Sequence, residues 1–303
     1  MEFRFQFSYN LKEGEIFMNK KLKRRDFLKI SGTAGLGAAL GGLTKCKSGL
    51  IPPSQLKTEP IEHLATQPLD TVRVGYVGIG NQGSGHLRNL LRIEGVDIQA
   101  VCDIREERTA WAQEQCQKAG KSKPTAYHQG TEDFKRMCDT EDLDLVYNAT
   151  PWKWHVPISV KAMETGSHAA TEVPGAITLE GCWQLVETSE KYKKHCCVME
   201  NCNYDQTELM IFNMVRQGLF GELLHAECGY LHDLREYKFG NIYYPPDWRL
   251  KYSMKRNADL YPTHGLGPVS QWMDITRGNK FEYLVSMSSP SPSLSLKREA
   301  VER

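Results

Sequence analysis

The 303-residue chain has no apolar run long enough to cross a membrane as a helix, which takes ~20 residues. The nearest approach, Ile30 to Leu43, is short and rich in glycine. Neither sign of charge is in excess: 38 Lys and Arg face 37 Asp and Glu, for a net charge of +1. That balance argues against a general nucleic-acid binder, which needs a basic surplus. Nine cysteines are present, but none is spaced as Cys-x-x-Cys, so no metal site is expected. Cys102, Cys196 and Cys197 sit in apolar, strand-like runs, where a buried thiol is the default. An odd count leaves room for a disulfide if the chain is exported.

Export is what the N-terminus suggests. Lys20 to Lys29 is basic and contains Arg24-Arg25, and the apolar segment to Leu43 follows. This is the layout of a twin-arginine signal, so residues 1–47 are predicted to be a signal region, with Met18 an alternative start. The expected location is the periplasm, and the expected partner there is the twin-arginine export machinery, which carries proteins already folded. Leu43-Thr-Lys-Cys46 resembles a lipoprotein cleavage box, except that Lys45 stands where a small residue belongs. Anchoring through Cys46 is therefore the lesser alternative. Residues 48–70 are polar and proline-bearing, a linker by composition. At the other end, Ser288 to Leu296 is a serine-proline run, and residues 290–303 are predicted to be a disordered or aberrant tail.

Between these ends the pattern is α/β. Val72 to Val77 reads as a buried strand and runs straight into Gly78-Ile-Gly80-Asn81-Gln82-Gly83. Helical spacing resumes at His86, and a second strand, Val96 to Val101, ends at Cys102-Asp103. Strand, Gly-x-Gly-x-x-Gly turn, helix, strand and an acid ~20 residues on make a dinucleotide fingerprint. The glycines Gly78, Gly80 and Gly83 allow the backbone to approach a pyrophosphate at a helix N-terminus. Asp103 is placed to hold a ribose diol and to repel a 2′-phosphate, which favours NAD as cofactor, although Arg105 beside it weakens the preference.

Further strands are predicted over Leu143–Thr150, His168–Glu172 and Cys196–Glu200, with helices over Val156–Gly166 and Thr178–His195. This alternation implies a Rossmann-type, doubly wound parallel sheet over residues 71–203. Ligands sit beyond the carboxyl ends of such strands, so Asn148, Trp152, His155, Glu172 and Asn201 are expected to share one cleft. Residues 204–289 are predicted to form an α+β substrate domain, with a helix over Glu208–Gly218 and a strand of a mostly antiparallel sheet over Glu222–Tyr230. Within it, Tyr261-Pro262-Thr263-His264 stands beside Gly265 and Gly267. Tyr and His side chains can exchange protons with a hydroxyl or a carbon acid, and an imidazole does so near neutral pH.

Taken together these residues resemble the Gfo/Idh/MocA oxidoreductases, and within them glycoside hydrolase family 109, the NAD-dependent α-N-acetylgalactosaminidases. The resemblance is carried by Thr150-Pro-Trp-Lys-Trp-His155, Glu172-Val-Pro174, Glu200-Asn201, Tyr230 to Arg235 and Tyr261 to Pro268. Sugar dehydrogenases of the superfamily usually have Glu-Lys-Pro, whose lysine is an acid/base. Val173 stands at that position, which favours the glycosidase branch. The resemblance implies removal of terminal α-linked N-acetylgalactosamine by oxidation at C3, elimination, addition of water and reduction, with NAD regenerated in each turnover. An NAD-dependent sugar dehydrogenase, or an NAD-binding remnant without activity, are the alternatives.

By position, the resemblance assigns cofactor contacts to Asn81, Gln82, Asp103, Trp152, Lys153, Trp154, His155, Glu172, Val173, Asn201 and Tyr261. It places Tyr230, Arg249, Tyr261, Pro262, Thr263 and His264 around the sugar. His264 is the first candidate for proton transfer and Tyr261 the second. The residues also admit plainer roles. Trp152 and Trp154 would serve as core packing, His155 as a helix cap, Arg249 as a carboxylate partner, and His232, Asp233 and Arg235 as a polar network. Members of the family run on well past Ser289, so the second domain is expected to be incomplete, with an unpaired apolar face prone to aggregation. The sequence leaves the oligomeric state open, a homo-oligomer included.

Overall fold

The computed structural model describes residues 2–8, 66–239, 248–256, 258–288, 290 and 292–302. In chain order the strands are β1 (Glu2–Ser8), β2 (Val72–Val77), β3 (Val96–Cys102), β4 (Thr125–Tyr127), β5 (Leu145–Asn148), β6 (His168–Thr171), β7 (Cys196–Val198) and β8 (Lys280–Met287). The helices are α1 (Asn81–Leu90), α2 (Glu106–Lys118), α3 (Asp133–Thr140), α4 (His155–Glu164), α5 (Leu179–Tyr192), α6 (Gln206–Arg216), α7 (Arg235–Phe239), α8 (Trp248–Lys255), α9 (Thr263–Trp272) and α10 (Ser293–Glu302). Short 3₁₀ turns occupy Trp152–Trp154 and Asn201–Tyr204. None of the described helices is long and apolar enough to cross a membrane.

Strands β2 to β7 form one parallel sheet of six, in the order β4-β3-β2-β5-β6-β7. A parallel sheet is covered on both faces by its crossover helices, so its strands carry apolar side chains on both sides. In β2, Val74 and Tyr76 enter the core beneath α1 and α2, with Leu87, Ile98, Val101 and Ala112. Val77 enters the opposite core with Phe134, Met137, Val146, Ile158 and Met163. The register of β3 against β2 slips between Val74 and Gly75, so that Ile98 and Ala100 face opposite cores despite being two residues apart. That is a bulge, and it flips the alternation. Arg73 clamps the entry of the sheet, donating from its backbone N–H to Asp144 Oδ2 at 2.8 Å and from Nη2 to Asp144 Oδ1 at 2.8 Å. Its guanidinium holds the Asp144 carboxyl below the usual carboxylate range.

The sheet order reverses at β2, which has β3 on one side and β5 on the other. That switch point opens a crevice beyond the carboxyl ends of β2 and β5, the position in which such sheets bind nucleotides. The expected strands and helices of this region are present within a few residues. Thr178 caps α5, its Oγ1 accepting from the Gly181 N–H at 3.0 Å. The edge strand β4 carries no signal in the sequence, since Thr125-Ala-Tyr127 is too short to show a period. At the other edge β7 has β6 alone as a neighbour, and so Cys197 is exposed rather than buried, while Cys102 is buried as expected. The eight cysteines among the described residues are all free thiols.

The second region departs further from expectation. Glu222–Tyr230 forms no strand; residues 222–234 lack regular structure, because no described segment lies alongside to complete the hydrogen-bond ladder. The antiparallel sheet consists instead of β8 paired with β1, from Glu2 opposite Met287 to Ser8 opposite Lys280. The start of the chain thus takes part in the fold as a strand. The tail expected to stay unordered forms α10, in which Leu294, Leu296, Lys297, Arg298, Glu299 and Ala300 are good helix formers behind Pro292. The predicted signal, from Lys20 to Leu43, and Cys46 lie outside the described residues. All described residues belong to one compact unit, so contacts between the two regions define a single site.

Candidate active site

The Gly78–Gly83 turn is shaped by two close approaches. Gly78 has φ +91°, and a Cβ there would lie 2.7 Å from the Ala149 carbonyl carbon. A Cβ on Gly83 would collide with the carbonyl oxygen of Gly78. Gly80, by contrast, has open space on its free side, with nothing within 4 Å of a notional Cβ. The first turn of α1, which holds Asn81 and Gln82, contains no acidic side chain, and Gly80 gives it no side-chain cap. Its N–H groups therefore form a cradle suited to an anion. Asp103, buried at the end of β3, accepts from the Ile79 N–H at 2.8 Å on Oδ2 and from the Arg105 N–H at 3.0 Å on Oδ1. It braces the turn and keeps further lone pairs for a ribose hydroxyl.

The structure gathers a second group of predicted residues at the mouth of this crevice. Trp152 is stacked 5.9 Å from Tyr261, and the Arg249 guanidinium lies 5.2 Å from the Trp152 ring and 5.1 Å from the Tyr261 ring. Tyr230 stands 5.8 Å from Tyr261 and 4.6 Å from His264. Tyr261 donates from its hydroxyl to the Val173 carbonyl at 3.5 Å, tying the second region to the end of β6. Burial pushes its phenol up to about 12, against the opposing pull of Arg249, so Tyr261 keeps its proton. Trp152, Tyr230, His232, Lys238, Arg249 and Tyr261 line a cavity of about 270 Å³, and no Asp or Glu is among the described residues of its wall. Lys238 donates to Ser253 Oγ at 2.8 Å, and burial lowers its ammonium below the usual lysine value.

His264 enters this cluster from the first turn of α9, behind Pro262 and Thr263. Its Nδ1 lies 2.6 Å from Glu200 Oε1, and both side chains are nearly buried, at 10% and 7% exposure. The glycines of α9 make the meeting possible: a Cβ on Gly267 would lie 2.7 Å from Glu200 Cγ, and one on Gly265 would lie 3.2 Å from the Gly229 N–H nitrogen. Burial alone would raise the Glu200 carboxyl; the bonds from His264 and from the Cys202 N–H outweigh it and bring the group below its ordinary range. Glu200 is therefore a carboxylate, and Nδ1 of His264 is the donor to it.

Other predicted contacts point elsewhere. His155 is fully buried, with Nδ1 2.6 Å from the Pro174 carbonyl and Nε2 2.8 Å from the Thr150 carbonyl, so it ties two strand-end loops and has no ring nitrogen left for a cofactor. Trp154 packs edge-on to Phe134 at 6.0 Å, on the core side, and exposed Lys153 lies over the Trp154 ring. Asn148 spends its amide within its own loop, accepting from the Thr150 N–H at 3.2 Å. Glu172 Oε1 pairs with His86 Nε2 at 2.7 Å, and Gln82 Nε2 is 3.2 Å from the same nitrogen. Asn201 begins the turn that carries Cys202, with its Nδ2 3.7 Å from the Cys202 sulfur. His86 and Glu200 went unnoticed in the sequence as site residues. No spacing marks them, and only the crossing of α1 and α9 over the strand ends brings them in.

Comparison with known proteins agrees with this architecture. Residues 72–200 match the oxidoreductase family with an NAD-binding Rossmann fold, and residues 204–300 match the glycosyl hydrolase 109 C-terminal domain. A glycosyl hydrolase family 109 protein of Shewanella pealeana is 43% identical over 277 residues, which is 89% of this chain and 59% of the relative. A Shewanella oneidensis protein named alpha-N-acetylgalactosaminidase is 44% identical over 283 residues, 92% of this chain and 61% of its own length. The chain thus spans about three fifths of the length of these relatives. Among solved structures, scyllo-inositol dehydrogenase from Lactobacillus casei with bound NAD(H) and scyllo-inositol superposes with a TM-score of 0.52 at 17% identity, over 67% of this chain and 56% of that one. That likeness shows the fold. With a Rossmann domain of the one family followed by the C-terminal domain of the other, the chain belongs to glycoside hydrolase family 109 of the Gfo/Idh/MocA superfamily.

Proposed function

We propose that this chain is a glycosidase that removes terminal α-linked N-acetylgalactosamine, with NAD as a resident cofactor. The observation that carries the reading is the His264–Glu200 pair, 2.6 Å apart, beside an aromatic and cationic cavity with no carboxylate among the described residues of its lining. Ordinary glycoside cleavage needs two carboxyl groups flanking the scissile bond, roughly 5–10 Å apart. This cavity offers phenols, a guanidinium and an amine instead, which suits proton abstraction from carbon. The substrate class follows the name of the Shewanella oneidensis relative.

The crevice fits a dinucleotide on features of the chain itself: the open side of Gly80, the uncapped and acid-free start of α1, and the braced carboxylate of Asp103. When bound there, NAD would supply reversible hydride removal at C3 of the sugar, which makes the C2 proton acidic. His264 takes that proton on Nε2, because Glu200 holds the N–H on Nδ1. Arg249 offers positive charge toward the enolate that results, and Tyr261, still protonated, is a hydrogen-bond donor rather than a base. Trp152 and Tyr230 present flat apolar faces to the sugar.

The test is hydrolysis of an aryl α-N-acetylgalactosaminide in heavy water. Aryl release with deuterium at C2 and no net NADH is the expected result, and His264→Gln should lower turnover by about 10²–10⁴. Net accumulation of NADH without aryl release would make the chain a sugar dehydrogenase.

A further inference from the structure

The Glu200–His264 pair has a third neighbour that the proposed reaction does not use. Cys202 lies on the same 3₁₀ turn as Asn203, two residues beyond Glu200, and its N–H donates to Glu200 Oε1 at 3.0 Å. A carboxylate oxygen of Glu200, the sulfur of Cys202 and a ring nitrogen of His264 all lie within 4.8 Å of one another. No other such trio occurs among the described residues. Ligands bound to a tetrahedral zinc ion at about 2.0–2.3 Å stand roughly 3.3–3.8 Å apart, so these three reach that arrangement with shifts of about an ångström.

Two further atoms point to a cation at this place. Glu200 Oε2, in a side chain only 5% exposed, has no donor in regular hydrogen-bond geometry among the described residues: the Thr263 hydroxyl is near enough to help hold the carboxyl down but is not aligned on it, and the buried Asn203 Oδ1 has no partner either. Both abut α9, since a Cβ on Gly267 would lie 2.7 Å from Glu200 Cγ and 2.8 Å from Asn203 Oδ1. Buried acceptors without donors are uncommon and call for a compensating positive charge or an ordered water. The donor set narrows the choice. Thiolate, imidazole and carboxylate together suit a borderline-soft ion such as Zn²⁺, and not Mg²⁺ or Ca²⁺, which take oxygen ligands.

We propose that Glu200, Cys202 and His264 form a Zn²⁺ site that switches the proton-transfer residue off. On binding, the Cys202 thiol loses its proton to solvent and the sulfur bonds to the metal. The His264 proton moves from Nδ1 to Nε2 as Nδ1 takes up the metal, and water fills the fourth position. One proton is released for each ion bound. His264 then carries N–H where the base lone pair had been, so the ion is an inhibitor. Its consequence for turnover rests on the glycosidase reading; its binding does not.

The experiment loads the full chain with Co²⁺ or Zn²⁺, reading Co²⁺ by its thiolate charge-transfer absorption and Zn²⁺ by competition with a chromophoric chelator. One equivalent of tight binding is expected, with a charge-transfer band that disappears in Cys202→Ser. Zn²⁺ affinity should fall at least about tenfold in both Cys202→Ser and His264→Gln, since even an outer-shell partner is worth that much. Retention of the band or of full Zn²⁺ affinity in Cys202→Ser would overturn the site, and far-ultraviolet circular dichroism shows that each variant is folded. Where hydrolysis is measurable, Zn²⁺ should inhibit the wild type, while Cys202→Ser keeps its turnover in chelator and loses the inhibition. If hydrolysis is absent altogether, the glycosidase reading fails and the binding data still decide the site.

Discussion

In the sheet of the first region, Val74, Tyr76 and Val77 of β2 are all buried within four residues, whereas β8, eight residues long and as apolar, buries none. Both segments have the composition of strands, so propensity does not separate them. The difference lies in what each brings with it. Parallel strands are joined by crossover helices, and those helices cover both faces of the sheet as a consequence of the connection. An antiparallel pair such as β1 and β8 has no such built-in cover and needs a face from elsewhere. Leu284, Val285 and Met287 remain more than half exposed. The second region has one small core of its own, Val269, Met273 and Ile275, and otherwise leans on the first through α9 and the Asn201–Tyr204 turn.

The comparison breaks most directly in the cores. Phe134→Ala, at a side chain 1% exposed, should cost about 3–5 kcal/mol in urea denaturation. Should it cost no more than a β8 truncation, the first region would not be the independently packed unit that its burial implies. Next in size is Gly83→Ala, whose new methyl group meets the Gly78 carbonyl. It should destabilise by about 1–3 kcal/mol and weaken NAD binding measured by calorimetry. Gly80→Ala, with open space around it, should fold normally and affect NAD binding alone.

A smaller effect tests the entry of the sheet. The Arg73 guanidinium, opposed by slight burial, keeps the folded Asp144 carboxyl below its free value of 3.8. Its contribution to stability is therefore complete above that value and is lost as pH falls through the lower folded value. Asp144→Asn should lower the thermal midpoint at pH 7 and flatten its decline in acid; an unchanged acid limb would refute the pair's role. The smallest change is expected in the second region. Leu284→Ala, at 60% exposure, should move stability by no more than about 0.5 kcal/mol while reducing self-association in light scattering.

The first region was legible because its signals are local. Gly78 to Gly83 with its flanking strands, and Asp103 at the end of the next strand, require no knowledge of distant contacts. The helix-strand alternation gave the sheet for the same reason. The short edge strand β4 lacked enough residues for a period, and the Glu222–Tyr230 segment had the pattern of a strand without a partner to pair with. In the site, Tyr261 and His264 stood out by residue type and by the turn around them. His155 did not reveal that both of its nitrogens would be taken by carbonyl groups, because Thr150 and Pro174 reach it from two different loops.

By itself the sequence determined the Rossmann half and the glycine turn at its nucleotide crevice, and it singled out Tyr261 and His264 by residue type, since periodicity, glycine geometry and side-chain chemistry act over a few neighbouring positions. The tertiary structure alone decided that Glu200 meets His264, that Cys202 joins them, and that β1 pairs with β8. His264 is far along the chain from Glu200 and Cys202, as β8 is from β1, and only the packing of α9 against the Asn201–Tyr204 turn and the register of one strand on another set the distances between them.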